Sequence, residues 1–518
     1  MNYLLSMLIT IEVLPSICCG ARILALMHLN SRSHFSVYEP LLLALQERGH
    51  EINVVSSFPR KEPLENYTDI DFSSEFPPPT SNVSLQYMKQ VVPNLFKAVF
   101  SFIEHHLVIS EKVMKNDKVL DLLNEKFDLV LGEIFGADCL NYIAHKLKAP
   151  VISWVCSTTL PWVSDDYGLP DNPAYIPNFY MNYEPEMNYF ERLYNTISLV
   201  FAKVVYYYYS ELPSHKITEH VLREKLPYMS EINRQTSLLF VNSHFTLSQS
   251  RPFPPNVIEV GGIHINDPRP LPQDIKAFLD SAKDGAILFS LGSLLRTASL
   301  PPQTIRMFLD VFAILSQKII FKYEEDLHEV PSNVILKKWL PQSDILAHPN
   351  IRVVISHGGQ ASTMEAVHFG KPLIAIPIFG DQFKNAKNIV CRGAGILLDL
   401  ENLSELSISQ GLKAVLDDPT YTANMMRLSQ LFRDRPMTPL QTAVYWTEYV
   451  IRHQGAPHLR PASVNLPLYQ YLLLDVIAVL AVLLIAVFFI LYYLVNHILR
   501  RKRLAVYIKK GNMKFKAN

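Results

Sequence analysis

The sequence predicts an α/β protein built on parallel sheets, and two stretches carry this prediction. Near the start, the apolar runs Arg22–Leu26 and Ile52–Ser56 flank a helical pattern over Phe35–Arg48. Later, the runs Arg352–Ser356 and Leu373–Ile376 flank a second helical pattern. Short apolar runs that alternate with helical patterns are typical of βαβ units. At 518 residues, about three times a typical domain, the chain should form two such domains plus accessory segments.

Composition excludes some classes of partner. The 48 basic residues balance 48 acidic ones, and no basic field indicates nucleic acid. Once an N-terminal leader is removed, only Cys139, Cys156 and Cys391 remain. Because these three residues form neither a disulfide framework nor a zinc pattern, we expect no structural metal.

Both ends of the chain carry membrane-targeting features. Residues 1–20 are mostly apolar and end in small residues, which predicts a cleaved signal peptide; a retained anchor or a buried first strand is the alternative. Residues 476–495 contain no charge and are long enough to cross a bilayer as a helix. The basic tail at 496–518 should therefore face the cytosol. The body, with a juxtamembrane segment at 456–475, should be luminal.

The C-terminus and three sequons refine the expected location. Lys514 and Lys516 have the spacing of a dilysine signal that returns membrane proteins to the endoplasmic reticulum; a basic tail that binds anionic lipid is the alternative. N-glycosylation sequons begin at Asn66, Asn82 and Asn402. We expect a single-pass type I protein of the endoplasmic reticulum membrane.

Polar residues gather where the later strands end. Ligands of parallel sheets bind beyond the carboxyl ends of the strands, which indicates a site at His357 and Asp381. The two glycines after His357 permit close approach of the backbone, and a helix opening near Ser362 directs free N–H groups at the ligand. A diphosphate suits this arrangement. Trp339 can lie against a uracil ring, and Glu365 can accept hydrogen bonds from ribose hydroxyls.

This stretch resembles the donor-binding signature of the UDP-glycosyltransferases, in particular the membrane-anchored UDP-glucuronosyltransferases and their invertebrate relatives. The matching motifs are W-x-P-Q at 339–342, H-P at 348–349, H-G-G at 357–359, E-A at 365–366, G-x-P at 370–372 and D-Q-x-x-N-A at 381–386. The pattern is long and specific, and the resemblance extends from the leader to the C-terminal anchor.

The resemblance implies the GT-B arrangement, in which two Rossmann-like domains face each other across a cleft, followed by a C-terminal single-pass transmembrane helix. We place an acceptor-binding domain at 21–262, a linker at 263–285 and a UDP-sugar-binding domain at 286–455. The expected UDP-sugar contacts are Ser293, Trp339, Gln342, His357, Gly359, Ser362, Thr363, Glu365, Asp381 and Gln382. The UDP-sugar is a co-substrate, and neither a cofactor nor a metal is expected, because the helix end can stabilise the leaving UDP. Ala361 stands where family members often carry Asn, which puts one phosphate or sugar contact in doubt.

His34 is the candidate general base. It falls at the junction of a polar loop and the first helix, where a neutral imidazole can take a proton from an acceptor hydroxyl. The surrounding S-H-F-x-x-x-E-P-L segment resembles the family's catalytic-histidine segment, and His28 is the local rival. Such a base needs a carboxylate to hold its tautomer. A direct overlay on the family selects Glu133, whereas Asp138, which needs a small shift, is the partner that we favour.

Two further segments are informative. Asp69-Ile70-Asp71 mimics the D-x-D metal motif of another glycosyltransferase fold, but we place it in an irregular segment and assign it to chance. The aromatic region 157–235 resembles the family's acceptor pocket and suits a flat, apolar compound. Within it, Leu193–Tyr209 either dips into the bilayer surface or forms an ordinary core helix.

These features imply an inverting transferase that moves a hexosyl group from a UDP-sugar to a small lipophilic acceptor, in a conjugation or detoxification role. A protein of the same fold that binds ligands without efficient turnover is the alternative. Similarity to invertebrate members favours UDP-glucose as the donor; UDP-glucuronate is the alternative, although no Lys or Arg can be placed near the sugar C6 from spacing. The sequence does not identify the acceptor or tell a monomer from a homo- or hetero-oligomer.

Overall fold

The computed structural model describes residues 20–92, 95–136 and 139–514. It divides into two compact units, Met1–Pro461 and Ala462–Asn518. Apart from Gly20, the predicted signal peptide lies outside the described residues, and so does Asp138.

The first half of the large unit folds around a seven-stranded parallel sheet. Its strands are β1 (Arg22–Leu26), β2 (Glu51–Ser56), β3 (Tyr67–Asp71), β4 (Leu129–Glu133), β5 (Val151–Val155), β6 (Leu238–Val241) and β7 (Val257–Glu259). Its helices are α1 (Arg32–Glu47), α2 (Leu85–Val91), α3 (Leu95–Met114), α4 (Asp117–Asp121), α5 (Asn141–Leu147), α6 (Val163–Tyr167), α7 (Tyr189–Tyr206), α8 (Leu212–Leu222) and α9 (Met229–Asn233). The strand order is β3-β2-β1-β4-β5-β6-β7. Apolar clusters line both faces of this sheet, which is why its strands read as continuous apolar runs.

The second half repeats the arrangement with six parallel strands. They are β8 (Ala286–Ser290), β9 (Lys318–Lys322), β10 (Val334–Lys337), β11 (Ile351–Ser356), β12 (Leu373–Ala375) and β13 (Gly395–Leu397). The helices are α10 (Gln273–Asp280), α11 (Pro302–Ala313), α12 (Gln342–Leu346), α13 (Gln360–His368), α14 (Gln382–Cys391), α15 (Glu405–Asp417), α16 (Pro419–Arg433) and α17 (Pro439–Arg452). The strand order is β10-β9-β8-β11-β12-β13. As between β1 and β4 in the first sheet, the order changes direction between β8 and β11. Ligands bind at such switch points.

The last helix of the large unit, α17, returns to the first sheet. Ala443 and Val450 of this helix belong to the apolar cluster that contains α1 and the buried faces of β1 and β2. Arg48, which follows α1, forms a bidentate ion pair with Glu448, with N–O distances of 2.5 and 3.0 Å. Residues distant in sequence therefore complete the core of the first half.

The small unit contains α18 (Leu468–Tyr471) and the long helix α19 (Leu474–Lys514). Within α19, Leu474–Ile508 is long and apolar enough to cross a membrane, and it includes the predicted span 476–495. The helix continues into the basic tail because Leu, Ala, Lys and Arg are all strong helix formers.

Two local predictions were wrong. Asp69-Ile70-Asp71 lies in the edge strand β3, which pairs with β2 from Ile52–Tyr67 to Ser56–Asp71. Asp69 is half-buried there and accepts a hydrogen bond from the Arg60 amide, so the ladder outweighs the low strand propensity of Asp. The first helix begins at Arg32 because the Ser31 carbonyl accepts the N–H groups of residues 34 and 35, and His34 therefore lies in the first turn. Within the segment 263–285, which we predicted to be the interdomain linker, α10 packs Leu279 against the core of the second half.

Candidate functional site

The carboxyl ends of the two sheets border one cavity of about 450 Å³. Nine of the ten predicted donor contacts line this cavity, and His34 lines it from the first half. The exception is Thr363, which is 3% exposed and whose hydroxyl has no hydrogen-bond partner among the described residues. Thr363 therefore lies in the protein interior behind the first turn of α13.

His34 and Glu133 form a close pair at the switch point of the first sheet. His34 follows β1, Glu133 is the last residue of β4, and the His34 Nδ1 to Glu133 Oε1 distance is 2.5 Å. The Glu133 side chain is 1% exposed, whereas that of His34 is 20% exposed and reaches the cavity. Phe135 packs edge-on against the imidazole. Glu133 thus holds one ring nitrogen and leaves Nε2 free to face a substrate.

Cys156 and Tyr38 lie behind this pair. The Cys156 thiol is 2.7 Å from the Tyr38 hydroxyl, and burial raises the pKa of both groups. Ligand atoms of His34, Glu133 and Cys156 lie within 4.8 Å of one another, so these three side chains form a candidate metal-binding group. The rival His28 is 3% exposed, and burial lowers its pKa to about 4; it does not line the cavity.

Glycines surround His357 in the part of the cavity where we predict that the diphosphate binds. Gly292, after β8, has φ +88°, and a Cβ there would lie 2.6 Å from the His357 ring; a Cβ at Gly359 would lie 2.5 Å from it. The first intrahelical bond of α13 is donated by the amide of residue 363 to the carbonyl of residue 359, so the amides of residues 360–362 remain free beside the cavity. Burial lowers the pKa of His357 to about 4, which keeps the imidazole neutral.

Glu365 and Trp339 border the part of the cavity where we predict that the nucleoside binds. Gln342 Nε2 donates to Glu365 Oε2 at 2.5 Å and to Ser362 Oγ at 3.0 Å. Burial raises the pKa of Glu365 to about 7. The Trp339 side chain is 53% exposed, so one face of its indole is open to a flat base.

Asp381 and Gln382 begin α14. Asp381 accepts a hydrogen bond from Asn385 Nδ2 at 3.0 Å; burial raises its pKa, and the proximity of His34 is among the factors that oppose this shift. The Gln382 carbonyl oxygen accepts the amides of Ile378 and Phe379, so only its NH₂ group is available to a ligand.

Lys322 is a cavity residue that the sequence analysis missed. It ends β9, its side chain is 4% exposed, and its Nζ lies 5.8 Å from the centre of the Trp339 ring. Nζ donates to Ser81 Oγ at 2.7 Å and to Glu324 at 3.0 Å. The available signal was a lysine at the end of an otherwise apolar strand, which parallel-sheet topology directs to the site.

Other predicted residues lie elsewhere. Asp69 lies outside the cavity lining and accepts a hydrogen bond from the Arg60 amide at 3.0 Å. The sequon residues Asn66, Asn82 and Asn402 are exposed.

Comparisons with known proteins agree on one family. A model described as "UDP-glucoronosyl and UDP-glucosyl transferase" matches residues 26–509. UDP-glucosyltransferase 2 from Dactylopius coccus is 42% identical over 95% of this chain and 96% of its own length. UDP-glucuronosyltransferase 1A8 from Homo sapiens is 30% identical over 89% and 88%. Among solved structures, glycosyltransferase VinC in complex with DTDP matches with a TM-score of 0.55 at 14% sequence identity, and the match covers 84% of this chain and 99% of that one. Spinosyn forosaminyltransferase SpnP matches with a TM-score of 0.54 at 16% sequence identity, and the match covers 84% of this chain and 100% of that one. These structures have the GT-B fold.

Proposed function

The chain belongs to the UDP-glucuronosyl and UDP-glucosyl transferase family, and we propose that it transfers a glucosyl or glucuronosyl group from a UDP-sugar to a small lipophilic acceptor. In this proposal the reaction inverts the configuration of the sugar, and His34 is the general base. The observation that carries this proposal is the His34–Glu133 pair at 2.5 Å, which lines the same cavity as the donor residues.

The donor binds along the second sheet. Trp339 stacks on uracil, and Glu365 accepts hydrogen bonds from the ribose. The diphosphate lies against Ser293, Gly359 and the free amides that begin α13, and Lys322 and His357 supply further donors. These groups stabilise the charge that develops on the leaving UDP, and the reaction needs neither a cofactor nor a metal. Asp381 and the NH₂ group of Gln382 bind the sugar hydroxyls.

The acceptor enters from the first half, past Phe135 and Phe179, which line the cavity. His34 Nε2 accepts the proton of the acceptor hydroxyl as the oxygen attacks the anomeric carbon, and Glu133 stabilises the imidazolium that forms. A single displacement from the face opposite UDP inverts the configuration. Holding both reactants in one cavity lowers the entropic part of the barrier.

UDP-glucose is the donor that we favour, because the insect relative that is 42% identical is named a UDP-glucosyltransferase. We propose further that α19 anchors the chain in the endoplasmic reticulum membrane with the body luminal, that Asn66, Asn82 and Asn402 carry glycans, and that the physiological role is conjugation of lipophilic compounds.

The test is UDP release by membranes that contain the full chain, with UDP-glucose or UDP-glucuronate and a panel of phenols. We expect turnover with UDP-glucose and a loss of about 10²- to 10⁴-fold in His34→Ala, with UDP binding retained. His145→Ala, a histidine outside the cavity lining, is the matched control. Full turnover in His34→Ala would refute the role of His34 as the base. Inversion is tested separately, by NMR of the anomeric proton of the product.

A further inference from the structure

We propose that His34, Glu133 and Cys156 form an inhibitory site for a thiophilic divalent cation such as Zn²⁺. The proposal rests on the proposed role of His34 as the base, because the metal would occupy the nitrogen that Glu133 now holds. Nitrogen, oxygen and sulfur ligands from His, Glu and Cys form a donor set that zinc prefers. Hard cations such as Mg²⁺ and Ca²⁺ select oxygen ligands instead.

The geometry of the three side chains needs only small adjustments. Their ligand atoms lie within 4.8 Å of one another; Glu133 ends β4, Cys156 directly follows β5, and His34 lies in the first turn of α1. Two light ligands on a tetrahedral zinc lie about 3.3 Å apart, so the present 2.5 Å between His34 Nδ1 and Glu133 Oε1 must open by less than 1 Å. The metal replaces the proton that now joins these atoms, which removes the cause of the short contact.

Charge and access also favour a cation here. A carboxylate from Glu133 and a thiolate from Cys156 together neutralise a divalent ion, so that a buried complex carries no net charge. His34 and Cys156 both line the cavity, which gives the ion a route from solvent and leaves its fourth position to water.

Binding would block catalysis by exchanging the tautomer of His34. In the resting pair, Nδ1 carries the proton and Nε2 carries the lone pair that accepts the acceptor proton. When the metal occupies Nδ1, the neutral ring carries its proton on Nε2. The thiol proton passes to solvent, so one proton is released for each metal bound. A ring protonated at Nε2 cannot accept a proton from the acceptor, and turnover stops.

The binding test uses the full chain in detergent micelles and Co²⁺ as a spectroscopic probe. We expect a thiolate-to-cobalt charge-transfer band in the near ultraviolet. The band should vanish in Cys156→Ser and persist in Cys391→Ser, whose thiol is exposed and outside the cavity. Cys156→Ala is a second variant in case the serine destabilises the fold. A band of equal intensity in the wild type and in both Cys156 variants, or no band in any of them, would overturn the site.

The inhibition test measures UDP release against Zn²⁺, with each variant compared with its own uninhibited rate. The Zn²⁺ concentration for half inhibition should rise at least tenfold in Cys156→Ser and stay unchanged in Cys391→Ser, and it should not depend on the UDP-sugar concentration. Equal inhibition of both variants would overturn the proposal. The role of His34 as base is tested separately by metal-free activity of His34→Ala, so failure of the metal site and failure of the proposed function give different results.

Discussion

Lys322 Nζ donates a hydrogen bond to Ser81 Oγ at 2.7 Å. A segment of the first half therefore contacts the wall of the cavity, although all the predicted donor contacts come from the second half. The same segment adds a backbone bond from the Ser81 amide to the Ser293 carbonyl at 2.7 Å. Leu85, four residues on, is buried in the core of the second half. The predicted donor site is therefore bordered by residues from both halves.

Loss of the Ser81 hydroxyl should weaken UDP binding, because this hydroxyl holds the Lys322 ammonium group in position. A hydrogen bond to a charged group contributes about 1.5–3 kcal/mol, so we expect Ser81→Ala to raise the Kd for UDP about tenfold and Lys322→Met to raise it further. The double variant should bind no more weakly than Lys322→Met. Isothermal titration with UDP measures all three. Lys89→Met, which removes only an exposed ion pair with Glu401, is the control from the same segment. Fully additive effects of Ser81→Ala and Lys322→Met in the double variant would contradict the prediction that Ser81 acts through Lys322.

The carboxylate partner of His34 can be identified by paired amide substitutions. Glu133→Gln keeps the size of the side chain but loses the charge that stabilises the imidazolium, so kcat should fall by about 10²- to 10⁴-fold. Asp138→Asn should have a much smaller effect on kcat. Initial rates at saturating UDP-sugar provide the measurement. The reverse ranking would restore Asp138 as the partner, as expected from the sequence.

Donor affinity should depend on pH through Glu365. Burial raises the pKa of this carboxyl to about 7 in the empty site, and only the ionised form accepts two hydrogen bonds from ribose. Binding must therefore expel a proton below pH 7, and the affinity for UDP-glucose should rise about tenfold between pH 6 and 8. UDP-glucose suits the test because its diphosphate diester does not titrate in this range. In Glu365→Gln the profile should be flat; a wild-type profile without slope would contradict the prediction, because it would show that Glu365 loses no proton when the donor binds.

Nine of the ten predicted donor residues line the cavity, and their positions were predictable because the pattern that contains them is local. Trp339 through Gln382 lie in one βαβα unit, where strand ends, turn glycines and a helix start determine the positions of neighbouring side chains. The parallel α/β class of both halves likewise follows from alternating apolar runs and helical patterns.

Features that depend on contacts between distant segments were not readable. The Ser81–Lys322 bond joins residues far apart in sequence, and no local pattern signals it. Asp69-Ile70-Asp71 looked irregular because Asp disfavours strands, yet pairing with β2 determines its conformation. Thr363 was assigned to the donor by motif position, and the helical rotation from Ser362 carries its side chain into the interior.

Lys384 links α14, which begins beside the predicted sugar-binding residue Asp381, to a loop of the first half. Its Nζ donates to the carbonyl of Pro177 at 3.0 Å, next to Phe179 of the cavity lining, and burial lowers its pKa to about 7. Lys384→Met should release this loop and raise the acceptor KM about tenfold, because loss of the donor leaves the Pro177 carbonyl without its partner, at a cost of about 1–3 kcal/mol, while the Kd for UDP stays unchanged. Lys387→Met on the same helix, which loses only a partly exposed contact with Glu184, is the control. An unchanged acceptor KM would contradict a role for this contact in positioning the loop.

Helix α7 combines the two alternatives that the sequence left open. Leu199, Ala202 and Val205 pack into the protein, as in a core helix. The opposite face exposes an apolar stripe that includes Phe190 at 76% and Ile197 at 54%. We propose that this stripe lies in the headgroup region of the bilayer.

Charges on the stripe should therefore detach the body from membranes. The test uses the chain ended after Pro461, the boundary of the large compact unit, in a sedimentation assay with phospholipid vesicles. Because each large apolar side chain contributes about 1.5–3 kcal/mol on leaving water, Phe190→Glu with Ile197→Glu should lower vesicle binding at least tenfold. Leu406→Glu, at an exposed position on α15, should have no such effect. The Tm should stay unchanged because both stripe residues are exposed; a lower Tm with unchanged vesicle binding would mean that the stripe packs against protein rather than lipid.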